Sequence, residues 1–490
     1  MLNAIIYMPL ATGLIVLAIP RSAEAWVRRI ALAGAVITLA LSLVLWARFD
    51  PSRPGLQFQS IAPWIAAIGA TYDVAVNGVS LPLIVLVALL LTVVMIYVLP
   101  ERDRPRAHAF LFLLLATGLL GVFAARDLLL FYLFFEIGLV PMYFIIGMWG
   151  GPGRRYAAFK FFLYTRAGSL AMLLGFLGLY VSMTPHTFSL SAIIQAQPLA
   201  RSPTASALVF FAMLLGFGVK LPTLPLHNWL PDAHVEAPTE GSIVLAGLQL
   251  KMGAYGLIAI VLPTMPGTVQ RFGWLVVALA LGSLLYGALA ALAQSDLKRL
   301  IAYTSINHMG YVMLALAIAA MSADPAIRSL ALTGAVVQMV SHGLLTGGLF
   351  LMVGVLQHRA GTRELARFGG LIDKMPAFTA LLVVLAFGSF GLPGLSGFIA
   401  ELQVIGAAVS FDLWAAIIVV LALVIMTAAY LRIAGVVTGK PAADRPPLAP
   451  ASVRELGLTC ALTGISVLIG ILPGALVASI SVTTRLLAQH

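Results

Sequence analysis

The sequence predicts an all-α polytopic membrane protein of about fourteen transmembrane helices, and three observations carry that prediction. Of the 490 residues, 61% are hydrophobic and only 10% are charged, a balance that soluble domains of this size do not show. Apolar runs of about 20 residues, each long enough to cross a ~30 Å hydrocarbon layer, recur along the whole chain. Lys and Arg are concentrated in every second segment between those runs, the one after the seventh run excepted, as expected when successive loops lie on opposite sides of a bilayer.

The runs fall near 4–20, 26–47, 80–100, 108–125, 127–149, 156–182, 204–230, 239–264, 271–293, 298–320, 326–357, 376–410, 412–437 and 457–482. The first ends in Ala23 to Ala25 like a secretory leader but lacks a basic start, so it reads as an uncleaved span. The seventh contains Pro222 and Pro225 and the twelfth contains Pro393, so both are expected to be broken. Eighteen Lys and Arg, Arg102 and Arg445 among them, follow the odd-numbered spans, against seven after the even-numbered ones. That bias assigns the odd loops to the cytoplasm and both termini to the periplasmic side of a bacterial inner membrane. The net charge of +11 is dispersed through these short loops, so it is a topology signal and not a nucleic-acid surface. A single cysteine, Cys460, excludes an internal disulfide or a cysteine-ligated iron–sulfur cluster on this chain.

The chain also echoes itself. Arg126-Asp127-Leu128 opens the fifth span and Ser295-Asp296-Leu297 precedes the tenth; Phe217-Gly218 and Leu221-Pro222 in the seventh are answered by Phe390-Gly391-Leu392-Pro393 in the twelfth. Five spans separate each pair, an odd number, so the second copy is inverted in the membrane. The expected units are residues 1–106 with spans 1–3, a first five-helix repeat at 107–264, an inverted second repeat at 265–437, and a loop and last span at 438–490.

Among the ionisable residues inside the apolar runs are Glu136, Arg166, Lys220, Lys251, His308, His342 and Glu401. A lysine near the bilayer centre costs at least ~2.5–3.5 kcal/mol on insertion scales, so such residues mark a partner or an ion route. Counting 1.5 Å per residue puts Glu136, Lys251 and His308 about 13–18 Å along their helices, close to one level. Groups that only anchor helix ends would reach for the interface instead. Burial disfavours the charged form of each group and an opposite charge restores it, so a row of them can pass protons through water. We expect Glu136 to pair with Lys220, and Lys251, His308 and Glu401 to accept in turn, histidine being suited by its near-neutral pKa. His342 reads either as a relay member or as a hydrogen bond between helices, so its replacement is expected to be the mildest. Arg166 finds no place. His227 and His234, near Asp232 and Glu236, suggest a hydrated entrance more than a metal site, and lysines close to His308 and His342 argue against a haem between them. No nucleotide loop, metal cluster or cofactor motif is present, so the driving energy comes from elsewhere.

Six stretches carry a resemblance: LFYLFFEIGLVPMYFIIGMWGG (130–151), KFFLYTRAGSLAML (160–173), HNWLPDAHVEAPT (227–239), LKMGAYGL (250–257), AYTSINHMGYVML (302–314) and SHGLLTGGLFLMVGVL (341–356). Across about residues 80–440 the chain resembles the antiporter-like membrane subunits of respiratory complex I, NADH:quinone oxidoreductase. Glu401, where sister subunits use lysine, and the lack of a long lateral helix after the fourteenth span point to one branch of that family. The resemblance implies a proton-translocating subunit with Glu136 and Lys220 as the coupling pair, Lys251 as central relay, His308 next, Glu401 terminal, and His342 as a further family histidine. It implies sister antiporter-like subunits on both flanks, with NADH, FMN, Fe–S clusters and quinone held by other subunits and no cofactor or metal on this chain. Arg166 and Asn307 depart from the neutral and small residues expected there. A subunit of a multi-subunit Na+/H+ antiporter or of a membrane-bound hydrogenase, and a purely structural spacer, are the other readings.

Overall fold

The computed structural model describes residues 1–98, 103–441 and 448–489; Arg102 and Arg445, two of the loop charges counted above, lie outside the described residues. Twelve of its helices are long and apolar enough to cross a membrane, from Glu24–Arg48 to Val453–Ile471. The short first helix, Leu2–Ala18, and the broken twelfth span, Pro376–Ser389 with Ser396–Phe411, complete the fourteen. The seventh span is also broken as expected, into Pro203–Lys220 and Trp229–Glu236.

Two local features go beyond the expected helical plan. The chain is not purely helical, because Gln57–Ile65 and Ala70–Val76 form an antiparallel hairpin between the second and third spans. The last span is not one helix: Leu472 and Pro473 separate Val453–Ile471 from Gly474–Ala488, since proline supplies no N–H to continue the first helix.

Loop-to-loop hydrogen bonds test the span count independently of hydropathy. Segments after even-numbered spans bond to one another: Thr71 donates to Asp127, Leu128 to the Phe188 carbonyl, and Gln197 to the Pro263 carbonyl. Segments after odd-numbered spans do the same, with Gly151 donating to the Glu236 carbonyl and Arg363 pairing with Asp296 at 2.8 Å. Asn3 and the last turn of the chain join the even set, through Ser60 and through Arg328 on the Ala488 carbonyl. Both termini therefore share one face. The echoed Asp-Leu motifs are the same device twice. Asp127 and Asp296 each cap a helix N-terminus by accepting two backbone N–H groups, and each bridges a later loop, at Ser189 and Glu364.

The eighth, tenth and eleventh spans (Thr239–Thr264, Leu297–Met321, Pro325–Ala360) form the centre, their most apolar stretches almost wholly buried. Their contacts rest on small residues, as in other membrane bundles. A Cβ at Gly253 would stand 2.6 Å from the Phe217 carbonyl oxygen, and one at Gly343 3.0 Å from the Gly247 carbonyl oxygen. Glycine at these positions lets the eighth span approach the seventh on one side and the eleventh on the other. That approach brings the buried polar side chains within reach of each other.

Candidate functional site

Four titratable side chains from four helices meet in the centre of the bundle. Lys251 Nζ lies 2.6 Å from His342 Nδ1, the ring centroids of His342 and His308 are 5.5 Å apart, and His308 Nδ1 lies 3.9 Å from Glu401 Oε1. All four residues are buried, from 0% exposed for Lys251 to 4% for Glu401. The row runs Lys251, His342, His308, Glu401, so His342 is the link between Lys251 and His308 and not an adjunct.

Local backbone irregularity presents the first and last members. Lys251 sits in a short α segment, Leu250–Gly256, between two π-helical turns, Leu245–Gln249 and Leu257–Val261. Such turns leave carbonyls out of the regular ladder, and Lys251 Nζ donates to one of them, the Ala246 oxygen, at 2.6 Å. The Lys251 ammonium thus has a carbonyl and an imidazole but no carboxylate. Leaving a charge inside without a counter-ion costs several kcal/mol, which is tolerable at a position that gives its proton away. Glu401 follows the break in the twelfth span, where Gly391 takes φ +78°. A Cβ on Gly391 would collide with Glu401 Oε2, so the break both bends the helix and makes room for the carboxyl. Geometry-dependent chemistry can lose up to ~100-fold for a displacement of about 1 Å. Gly391→Ala is therefore expected to lower coupled proton transport at least tenfold by about that reasoning. Quinone-linked electron flow and acidification of reconstituted vesicles, measured together, would check it.

Glu136 and Lys220 do not pair directly, contrary to expectation. Arg166, the residue without a place in the sequence reading, holds Glu136 Oε2. Lys220, 1% exposed, donates to Gln249 Oε1 at 3.3 Å and has the Phe161 and Phe135 rings 5.3 and 5.8 Å from its ammonium. The physical reason is reach: the carboxylate on the fifth span has a guanidinium beside it on the sixth, and the lysine has an amide beside it on the eighth.

The sequence reading passed over three polar neighbours. Gln249 holds Lys220; Gln338 Nε2 lies 3.1 Å from His308 Nδ1; Tyr430 OH lies 3.4 Å from His308 Nε2. Two of them carried a usable signal. Gln249 stands two residues before Lys251, and Gln338 one helical turn before His342, each in an otherwise apolar run. Several polar atoms along the row are buried and have no protein partner, among them His342 Nε2, Gln338 Oε1 and Tyr311 OH. Buried groups of this kind are ordinarily satisfied by water.

His234 lies off the row, fully buried and stacked on Phe350 with centroids 4.6 Å apart, both ring nitrogens without a partner. His227 is also buried with both nitrogens unpartnered. Among the described residues no cluster of His, Cys, Asp and Glu has the geometry of a metal site. On the odd-loop face a polar cleft lined by Gly151, Glu236, Lys298, Gln357 and His358 reaches down to the buried Lys298 ammonium. On the opposite face a second cleft reaches Thr333 and Gln403.

A bundle with broken helices and a buried file of lysine, histidine and glutamate defines an antiporter-like membrane subunit. The family model described as NADH:quinone oxidoreductase/Mrp antiporter, TM, matches residues 125–427, and the chain belongs to that family. Within it the chain is similar to proteins named subunit M. It is 37% identical to NADH-quinone oxidoreductase subunit M of Rhodobacter capsulatus, over 100% of this chain and 96% of that protein. It is 40% identical to F(420)H(2) dehydrogenase subunit M of Methanosarcina mazei, over 81% of this chain and 79% of that one. A chain of respiratory complex I from Thermus thermophilus superposes with a TM-score of 0.90 at 29% identity, covering 100% of this chain and 99% of the other. A chain of the Mrp complex from Dietzia shares the fold, with a TM-score of 0.84 at 20% identity over 99% and 97% of the two chains.

Proposed function

We propose that this chain translocates protons as the M-type membrane-arm subunit of an NADH:quinone oxidoreductase, driven by quinone reduction in other subunits. The observation that carries the reading is the unbroken sequence of contacts from Lys251 through His342 and His308 to Glu401. A lone structural ion pair needs no such file. Glu136 and Lys220 load it from the side, with residues 107–264 and 265–437 acting as two half-channels. Protons enter by the cleft at Lys298, pass His234 to the Lys251–His342 contact, and leave past Glu401 toward the cleft at Gln403. The odd loops face the cytoplasm and both termini the periplasm. The chain itself carries no redox group; NADH, FMN, Fe–S clusters and quinone belong to other subunits, and sister antiporter-like subunits flank it.

Inverted membrane vesicles containing the complex test the reading. NADH should acidify their lumen equally with and without sodium, whereas transport that requires sodium would assign the row a different ion. The likeness to the Methanosarcina F(420)H(2) dehydrogenase subunit favours a second reading, in which the same row serves a complex fed by another electron donor. Vesicles that pump with F(420)H(2) and stay idle with NADH would establish it.

A further inference from the structure

Glu136 and Lys220 are each occupied by a partner other than the other, and both partners come from helices packed beside them. Arg166 takes one oxygen of the Glu136 carboxylate, while the second oxygen, Oε1, is buried and has no partner. Gln249 accepts from Lys220 with its oxygen and donates with its nitrogen to the Gly138 carbonyl at 2.6 Å, two residues beyond Glu136. The amide is therefore a strut between the lysine helix and the end of the glutamate helix. Resting on the relay reading above, we propose that Arg166 and Gln249 are positioning residues that hold the Glu136–Lys220 pair open in the resting subunit.

The physical case is a competition for one carboxylate. A guanidinium and an ammonium both bind it strongly in a medium of low dielectric. Here the guanidinium has it, and the ammonium is left with a neutral acceptor and two aromatic rings. A neutral amide fixes where Lys220 sits without cancelling its charge, so the lysine is located but not neutralised. The free Oε1 is the docking point for the ammonium when the pair closes. Reaching Lys220 swings the carboxylate away from the sixth span, so closing pulls Oε2 off Arg166 and strands its guanidinium, a side chain 41% exposed on a face with Leu133, Leu163 and Leu170. A guanidinium left alone among such side chains is costly at this depth, and this biases the resting subunit to the open arrangement. Arg166 and Gln249 thus set when Lys220 meets its carboxylate, though neither carries a proton.

The test uses the intact complex in vesicles, reading protons pumped per electron. Arg166→Gln removes the competitor, lets Glu136 close permanently on Lys220, and is expected to lower the ratio about tenfold, the factor that corresponds to the worth of one charge-assisted hydrogen bond. Arg166→Lys restores a cation and should return the ratio to normal. Gln249→Leu removes the strut and should lower the ratio as Arg166→Gln does. In a Glu136→Gln background, Arg166→Gln should have no further effect, because no carboxylate is left to compete for. A normal ratio in both Arg166→Gln and Gln249→Leu overturns the proposal, and so does an Arg166→Lys variant as impaired as Arg166→Gln. Normal pumping by Glu136→Gln alone would instead sink the relay reading, so the two failures are distinguishable.

Discussion

Lys251→Met is expected to leave the protein at least as stable as the wild type and to stop it pumping. The substitution keeps the length of the side chain but removes an ammonium that is fully buried and held, among the described residues, by the Ala246 carbonyl and His342. Replacing a buried ion pair by apolar groups of similar volume is often neutral or stabilising, by up to ~4 kcal/mol, and Lys251→Met leaves no carboxylate stranded, since the lysine contacts a carbonyl and an imidazole. Loss of a positioned proton-transfer group, by contrast, costs on the order of 10²–10⁴-fold in rate. The two readouts therefore move in opposite directions. Thermal unfolding of the purified complex and NADH-driven acidification of vesicles measure them on the same preparation. A lysine that merely glued helices together would show the reverse, a less stable complex whose residual copies still pump.

His342 carries the second large effect. Its Nδ1 touches Lys251, and its ring stands between Lys251 and the His308 ring, so no other side chain in the row offers the same step. This placement argues for a larger effect than the sequence alone suggests, where His342 is the mildest position. His342→Ala is expected to lower coupled pumping by about two orders of magnitude, as for other proton-transfer histidines. His342→Gln is the sharper variant, because glutamine can still accept from Lys251 but cannot take up and release a proton near neutral pH. Pumping should be lost in both variants. Recovery in His342→Gln would mean that the imidazole acts only as a hydrogen-bonding spacer.

The helices were legible because membrane insertion is read from composition: the lengths of apolar runs and the Lys and Arg in the loops are additive along the chain. The breaks at Pro222, Pro225 and Pro393 were legible for a chemical reason, the missing N–H. Leu472-Pro473 was missed although it carries the same signal, because the apolar run continues on both sides of it. The hairpin at 57–76 was missed for a related reason. It lies between two strong membrane signals, and a search tuned to 20-residue runs passes over nine-residue strands.

The candidate site divides in the same way. Which residues are buried and titratable follows from the sequence, since Lys251 or Glu401 in a run of Leu, Gly and Ala has no other plausible setting. Which residue touches which does not follow. The Glu136 partner depends on the rotation of the sixth span that sets Arg166 beside the fifth, and the Lys251–His342 contact depends on the close approach allowed by Gly247 and Gly343. The π-helical turns around Lys251 change the register of its side chain against its neighbours, and no periodicity argument built on 3.6 residues per turn anticipates them.

An experimental map sharp enough to show ordered solvent would test the central claim most directly. The account predicts water joining the Lys220–Gln249 pair to Lys251, and further water at His342 Nε2, Gln338 Oε1 and Tyr311 OH, so that polar contacts run without interruption to Glu401. Close-packed hydrocarbon between Lys220 and Lys251, with those three atoms dry, would contradict it.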